Sequence, residues 1–201
     1  MSMNNFQKRG FTLIETMIAV TILTLAVAGP LYAASRAIVA ATISRDQLTA
    51  SYLAQEGIEY VRALRDNEYL AAHQAGGSDV SGTAWTNFIA GIESLCLSPA
   101  SCSLDPVLRA MGYGSGSSVA TYTGAPLYLT NCAYGVGGLS CTPPNIYTQQ
   151  NLAGSVQTGF KRALQVFHIS ASDERVVSTV SWDFHGTTYS VTVADHLTPW
   201  Q

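Results

Sequence analysis

Glu15 is the only ionisable side chain between Phe11 and Leu31, a stretch otherwise built of Ile, Leu, Val, Ala, Met, Thr, Phe, Gly and Pro. An acid held mid-membrane costs roughly 2.5–3.5 kcal/mol, and less near a helix end, so the carboxylate calls for a partner. The chemistry it can do is charge pairing, because an opposite charge in an apolar setting attracts strongly and relieves the burial cost of both groups. Proton transfer has other candidates: His168, His185 and His196 lie in or beside predicted strands, with Asp183 and Asp195 nearby. Their spacing does not favour catalysis. No Gly-flanked nucleophile, phosphate loop or metal-ligand pattern accompanies them, so the reading is no enzyme, no cofactor and no metal.

Cysteine chemistry is the other option. Cys96 with Cys102 and Cys132 with Cys141 form two local pairs, all beyond the apolar segment. An even count in an exported domain reads as disulfides, with three connectivities open to four cysteines. The sequential pairing is favoured, since each bridge closes a short loop containing Gly, Pro or Ser. A structural zinc site is the rival. Neither pair has the close spacing that zinc clusters show, and no histidine is interleaved.

The element that must carry Glu15 is long and apolar enough to cross a bilayer as a helix. The basic pair Lys8-Arg9 precedes it. A secretory signal peptide shares this layout, with Ala26-Val27-Ala28 as its cleavage site, and an unprocessed membrane anchor is a further option. Glu15 inside the apolar core speaks against the signal peptide.

The run Lys8-Arg9-Gly10-Phe11-Thr12-Leu13-Ile14-Glu15 resembles the N-terminal signature of type IV prepilins and the related pseudopilins of type II secretion and DNA uptake. The resemblance implies that a prepilin peptidase cuts after Gly10 and methylates the new amino terminus at Phe11. It also implies that Glu15 faces the terminal amine of a neighbouring subunit in a filament, setting register. Other pilin or pseudopilin subunits, the inner-membrane assembly platform and, before assembly, membrane lipid are the partners that follow. The implied location is the inner membrane, single-pass with an extracytoplasmic C-terminal domain, and then the pilus or pseudopilus.

The predicted fold class is α+β and pilin-like, one long N-terminal helix packed on a C-terminal antiparallel sheet. Residues 1–10 are read as a leader and 11–35 as a transmembrane or filament-core helix. An amphipathic continuation follows over 36–67, where Ile38, Val39, Ile43, Leu48, Tyr52, Leu53, Ile58, Val61 and Leu64 recur at helical steps. Pro30 is expected to break the helix; in the resembling family such a proline marks a segment that stretches or melts on assembly. Gly57 is expected to mark close approach of a strand. The run Leu53-Ala54-Gln55-Glu56-Gly57-Ile58-Glu59 is also reminiscent of minor pilins and minor pseudopilins, which favours an accessory subunit.

Residues 68–158 read as irregular and loop-rich with short strands, among them an edge strand over 120–129 around Pro126. Residues 159–201 read as a three-stranded meander. Val176, Ser178, Val180, Trp182 and Phe184 alternate with polar neighbours, as do Tyr189, Val191 and Val193, with His185-Gly186 as the intervening turn. Charged residues make up 11% of the chain and the net charge is −3, which argues against general nucleic-acid binding. The function expected is that of a minor pilin-like structural subunit. An adhesive or DNA-binding tip subunit, using loops in 67–158, is the alternative.

Overall fold

A computed structural model of the chain describes residues 10, 12–105, 119–130, 146–151 and 154–199. They form α1 (Leu13–Ala75), α2 (Val80–Cys96), β1 (Cys102–Leu104), β2 (Val119–Thr121), β3 (Tyr128–Leu129), β4 (Tyr147–Thr148), β5 (Val156–Gln157), β6 (Lys161–Ser170), β7 (Asp173–Phe184) and β8 (Thr187–Leu197). The chain divides after Arg45 into two compact units.

The first unit is the N-terminal part of α1. Thr12 caps it, its hydroxyl accepting from the Glu15 amide at 3.4 Å. Helical hydroxyls in this stretch are satisfied locally: Thr16, Thr21 and Thr24 donate to the carbonyls of Leu13, Met17 and Thr21. The side chains of Leu13, Ile14, Met17, Ile18, Val20, Ile22, Leu23 and Leu25 are all exposed, so this apolar surface has no core of its own. The break expected at Pro30 does not occur; α1 runs through Gly29-Pro30. Proline holds φ near a helical value and removes one donor, while the good helix formers on either side propagate the helix across it.

In the second unit, the rest of α1 packs on a five-stranded antiparallel sheet of order β2-β1-β6-β7-β8. The α+β arrangement is the one expected. Ala50, Leu53, Ala54, Gly57, Ile58 and Val61 are buried at three- and four-residue steps. The stripe is narrower than predicted, because Ile38, Leu48 and Tyr52 are exposed. The helix also runs to Ala75 rather than 67. Ile58 and Val61 join Leu164, Val166, Val176 and Leu197 in the main core, and Ala50, Leu53 and Ala54 join Leu127, Val180 and Trp182 in a second cluster.

β6, β7 and β8 form the predicted antiparallel meander; β7 and β8 pair in continuous register from Glu174↔Leu197 to Phe184↔Thr187, and the β6–β7 register is irregular between His168 and Ser170. His185 and Gly186 both have positive φ, 49° and 81°, which is the backbone of a two-residue hairpin turn whose twist matches its strands.

The loop-rich reading of 68–158 needs correction. A helix, α2, occupies Val80–Cys96 and buries Ala84, Trp85, Phe88, Ile92 and Cys96. Asp79 caps it, accepting from the Gly82 amide at 2.9 Å. The single strand expected over 120–129 is two: β2 at the edge of the main sheet and β3 in a small sheet of order β4-β3-β5. Pro126 lies between them, outside either strand, where its missing donor is not needed. Cys96 and Cys102 are joined by a disulfide that links the end of α2 to the start of β1. The second proposed pair, Cys132 and Cys141, lies outside the described residues.

Candidate functional site

Gly10 is exposed, and a Cβ built on it would meet nothing within 4 Å. Packing among the described residues therefore gives no reason for glycine at this position. Gly57 contrasts with it, since a Cβ there would lie 2.6 Å from Ser178 Oγ and 3.3 Å from Leu164 Cδ2. Gly57 is the close approach of helix to strand that was expected. Phe11 lies outside the described residues.

Thr12 and Glu15 occupy the N-cap and N3 positions of α1, the spacing of a capping box. Among the described residues the Glu15 carboxylate is exposed and has no hydrogen-bond or ion-pair partner. A negative charge in the first turn is favoured by the helix dipole. The apolar stretch closes at Tyr32 and Arg36, where the guanidinium donates to the tyrosine hydroxyl at 3.1 Å. Among the described residues, α1 is the one helix long and apolar enough to cross a membrane.

The proposed proton-transfer pairs are rearranged. Asp183 accepts from Thr188 across the β7–β8 hairpin, and Asp195 accepts from Arg62 on α1 at 2.7 Å. His196 instead contacts Asp173 at 2.9 Å, and His185 stands edge-on to Phe184. His168 contacts Glu174 at 2.5 Å and lies 3.5 Å from Glu93. Sequence reasoning missed both glutamates. The alternation of β7 places Glu174 with Val176, Ser178 and Val180 on the buried face, and that was the available signal. Burial raises the Glu174 pKa above the ordinary carboxylate range, the hydrogen bond from His168 opposing the shift in part.

A second feature missed is a buried ion pair. Arg162 on β6 is fully buried and donates to the carbonyls of Leu53 and Leu104 and to Glu56 at 3.1 Å. Tyr60 donates to the other Glu56 oxygen at 2.6 Å, and the Arg162 guanidinium stands over the Tyr60 ring. The network ties α1 to β1 and β6. It gives the run from Leu53 to Ile58 a structural content: core contacts at Leu53, Ala54 and Ile58, a charge partner at Glu56 and close approach at Gly57.

Residues 5–29 match the family model described as the prokaryotic N-terminal methylation motif. The chain thus carries the type IV prepilin and pseudopilin signature, on an α+β scaffold of pilin-like arrangement. That motif points to a pilin-like or pseudopilin structural subunit rather than an enzyme, and it fits attachment to a membrane through the N-terminal apolar helix. Neither the curated proteins nor the solved structures yield a match to this chain.

Proposed function

We propose that this chain is a minor pilin-like subunit of a type IV pilus or a related secretion or DNA-uptake filament. A prepilin peptidase cuts it after Gly10 and methylates Phe11. The residue 11–35 segment anchors it in the inner membrane with the rest of the chain extracytoplasmic, until the assembly platform moves it into a filament beside other pilins or pseudopilins.

The observation that carries this reading is the coincidence of the methylation motif with a helix whose apolar residues are exposed and whose one carboxylate lacks a partner among the described residues. An apolar surface of this extent needs lipid or other helices to cover it. Once the leader is removed, the new α-amino group at Phe11 is a cation, and Glu15 of a neighbouring copy is its complement. The pairing fixes subunit register because either charge alone would be left uncompensated in an apolar interior.

The test is incorporation of Glu15→Ala into filaments sheared from cells that retain the assembly system. Cleavage proceeds normally in this variant, and incorporation falls by about tenfold or more, as expected for loss of an ion pair worth more than about 1.4 kcal/mol. Incorporation equal to the parent chain would remove the pairing role.

A further inference from the structure

We propose that Glu93, His168 and Glu174 form a binding site for one divalent metal ion of the zinc type, joining α2 to the end of the β6–β7 hairpin. The three residues come from three elements. His168 and Glu174 are direct cross-strand partners on β6 and β7, and Glu93 reaches them from the last turns of α2. Their ligating atoms all lie within 4.8 Å of one another.

The two separations from His168 suit a small ion, and the two glutamates stand within 4.8 Å of one another. Ligands about 2.0–2.1 Å from one tetrahedral centre stand roughly 3.3 Å apart. His168 Nδ1 and Glu93 Oε1 are already 3.5 Å apart, and His168 Nδ1 and Glu174 Oε1, at 2.5 Å, need to open by less than about 1 Å. The His168 side chain is 53% exposed, which leaves an entry path and room for a water as fourth ligand.

A second and independent observation points to a ligand. The Glu174 side chain is 1% exposed, yet its Oε2 has no hydrogen-bond partner among the described residues. Leaving a buried carboxylate oxygen unpaired is costly. Glu93 and Asp173 add negative charge around it. The Arg175 guanidinium lies over the Phe167 ring. Two carboxylates and a neutral imidazole are brought to neutrality by one divalent cation. The mixed nitrogen and oxygen donor set selects zinc or its first-row neighbours over calcium and magnesium, which prefer oxygen alone.

The test uses the full chain without an affinity tag, in detergent, with its cysteines oxidised and its metals removed by chelation. Zinc is titrated against a chromophoric chelator. One equivalent binds, and His168→Ala and Glu93→Gln each weaken it by about 100-fold or more. His185→Ala, at an exposed turn, leaves it unchanged. Calcium does not compete. Zinc also raises the melting temperature of the parent chain in proportion to the logarithm of its concentration, but not that of Glu93→Gln. Binding of less than one equivalent, affinity in both ligand variants equal to that of the parent chain, or preference for calcium would each overturn the assignment. Should His168→Ala lose its circular-dichroism signature, Glu93→Gln decides alone, since it preserves side-chain shape at a partly exposed position.

Discussion

Gly57 of α1 approaches Ser178 of β7 so closely that a methyl group on the glycine would lie 2.6 Å from the serine hydroxyl. Helix and sheet meet at this point with almost no side chain between them. Arg162 and Leu164 close the space on the other sides, at 3.3 Å each.

Gly57→Ala therefore sets two effects against each other. Alanine is favoured over glycine within a helix by about 1 kcal/mol, but overpacking costs typically about 1–3 kcal/mol. The clash outweighs the propensity, and thermal or denaturant unfolding shows a net loss of about 1 kcal/mol. Among the described residues Ser178 Oγ has no hydrogen-bond partner, so Ser178→Ala removes the obstacle without stranding another of them. The double variant recovers the loss. Equal stability of the single and double variants would show that the contact is not what limits this position.

Arg162 and Glu56 form the buried pair behind that contact. Arg162→Met strands a partly buried carboxylate and two carbonyls, and lowers unfolding stability by about 3 kcal/mol or more. Glu56→Gln keeps its one acceptor oxygen toward Arg162, while its amide NH2 donates to the Tyr60 hydroxyl in place of accepting from it, and costs about 1 kcal/mol. Comparable losses in the two variants would mean that the arginine is held by its packing rather than by its partners.

Tyr60, in the part of α1 beyond the residue 11–35 segment, has its pKa raised well above the ordinary value near 10, first by burial and then by its hydrogen bond to Glu56. The folded state holds this proton more tightly than the unfolded state. Its contribution to stability is complete below about pH 10 and is lost as pH rises above that value. Alkaline titration followed by circular dichroism shows the decline, and Tyr60→Phe makes the curve flatter. An unchanged slope in Tyr60→Phe would assign the alkaline loss to other groups.

The Cys96–Cys102 bridge closes a short loop between α2 and β1, and both cysteines are fully buried. Cys96→Ala with Cys102→Ala lowers stability by about 2–3 kcal/mol under the chain-entropy account. A melting temperature equal to that of the parent would show that packing alone holds the loop.

The sequence made the C-terminal meander legible because its side chains alternate without interruption and His185-Gly186 satisfies a turn that needs positive φ twice. Gly57 was legible because a glycine amid good helix formers requires a packing reason. The α2 helix was hidden by Gly82, Gly91 and several Ser and Thr residues, which lower helix propensity over a segment whose apolar spacing is nonetheless helical. The edge strand around Pro126 was misread because neither short strand carries enough alternation to mark its own ends. Arg162 and Glu174 show a different limit. Their place in the alternating register puts them on the buried face, but their partners, Glu56, Glu93 and His168, are brought to them only by the packing of α1, α2 and the neighbouring strand. Residue type argued for the surface, and register, the better guide, argued for the core. At the N-terminus Gly10 and Glu15 stood out by residue type, and packing among the described residues does not account for either.

The central claim is that the bond between Gly10 and Phe11 is cut and the new terminus methylated. Intact mass and N-terminal sequencing of the protein, recovered from membranes of a host possessing a prepilin peptidase, test it most directly. A chain beginning at N-methylated Phe11 is the predicted result, with Gly10→Val remaining uncut and otherwise as stable as the parent. A chain beginning at Gly29, as signal peptidase would leave it, or an uncut chain beginning at Met1, would contradict the account.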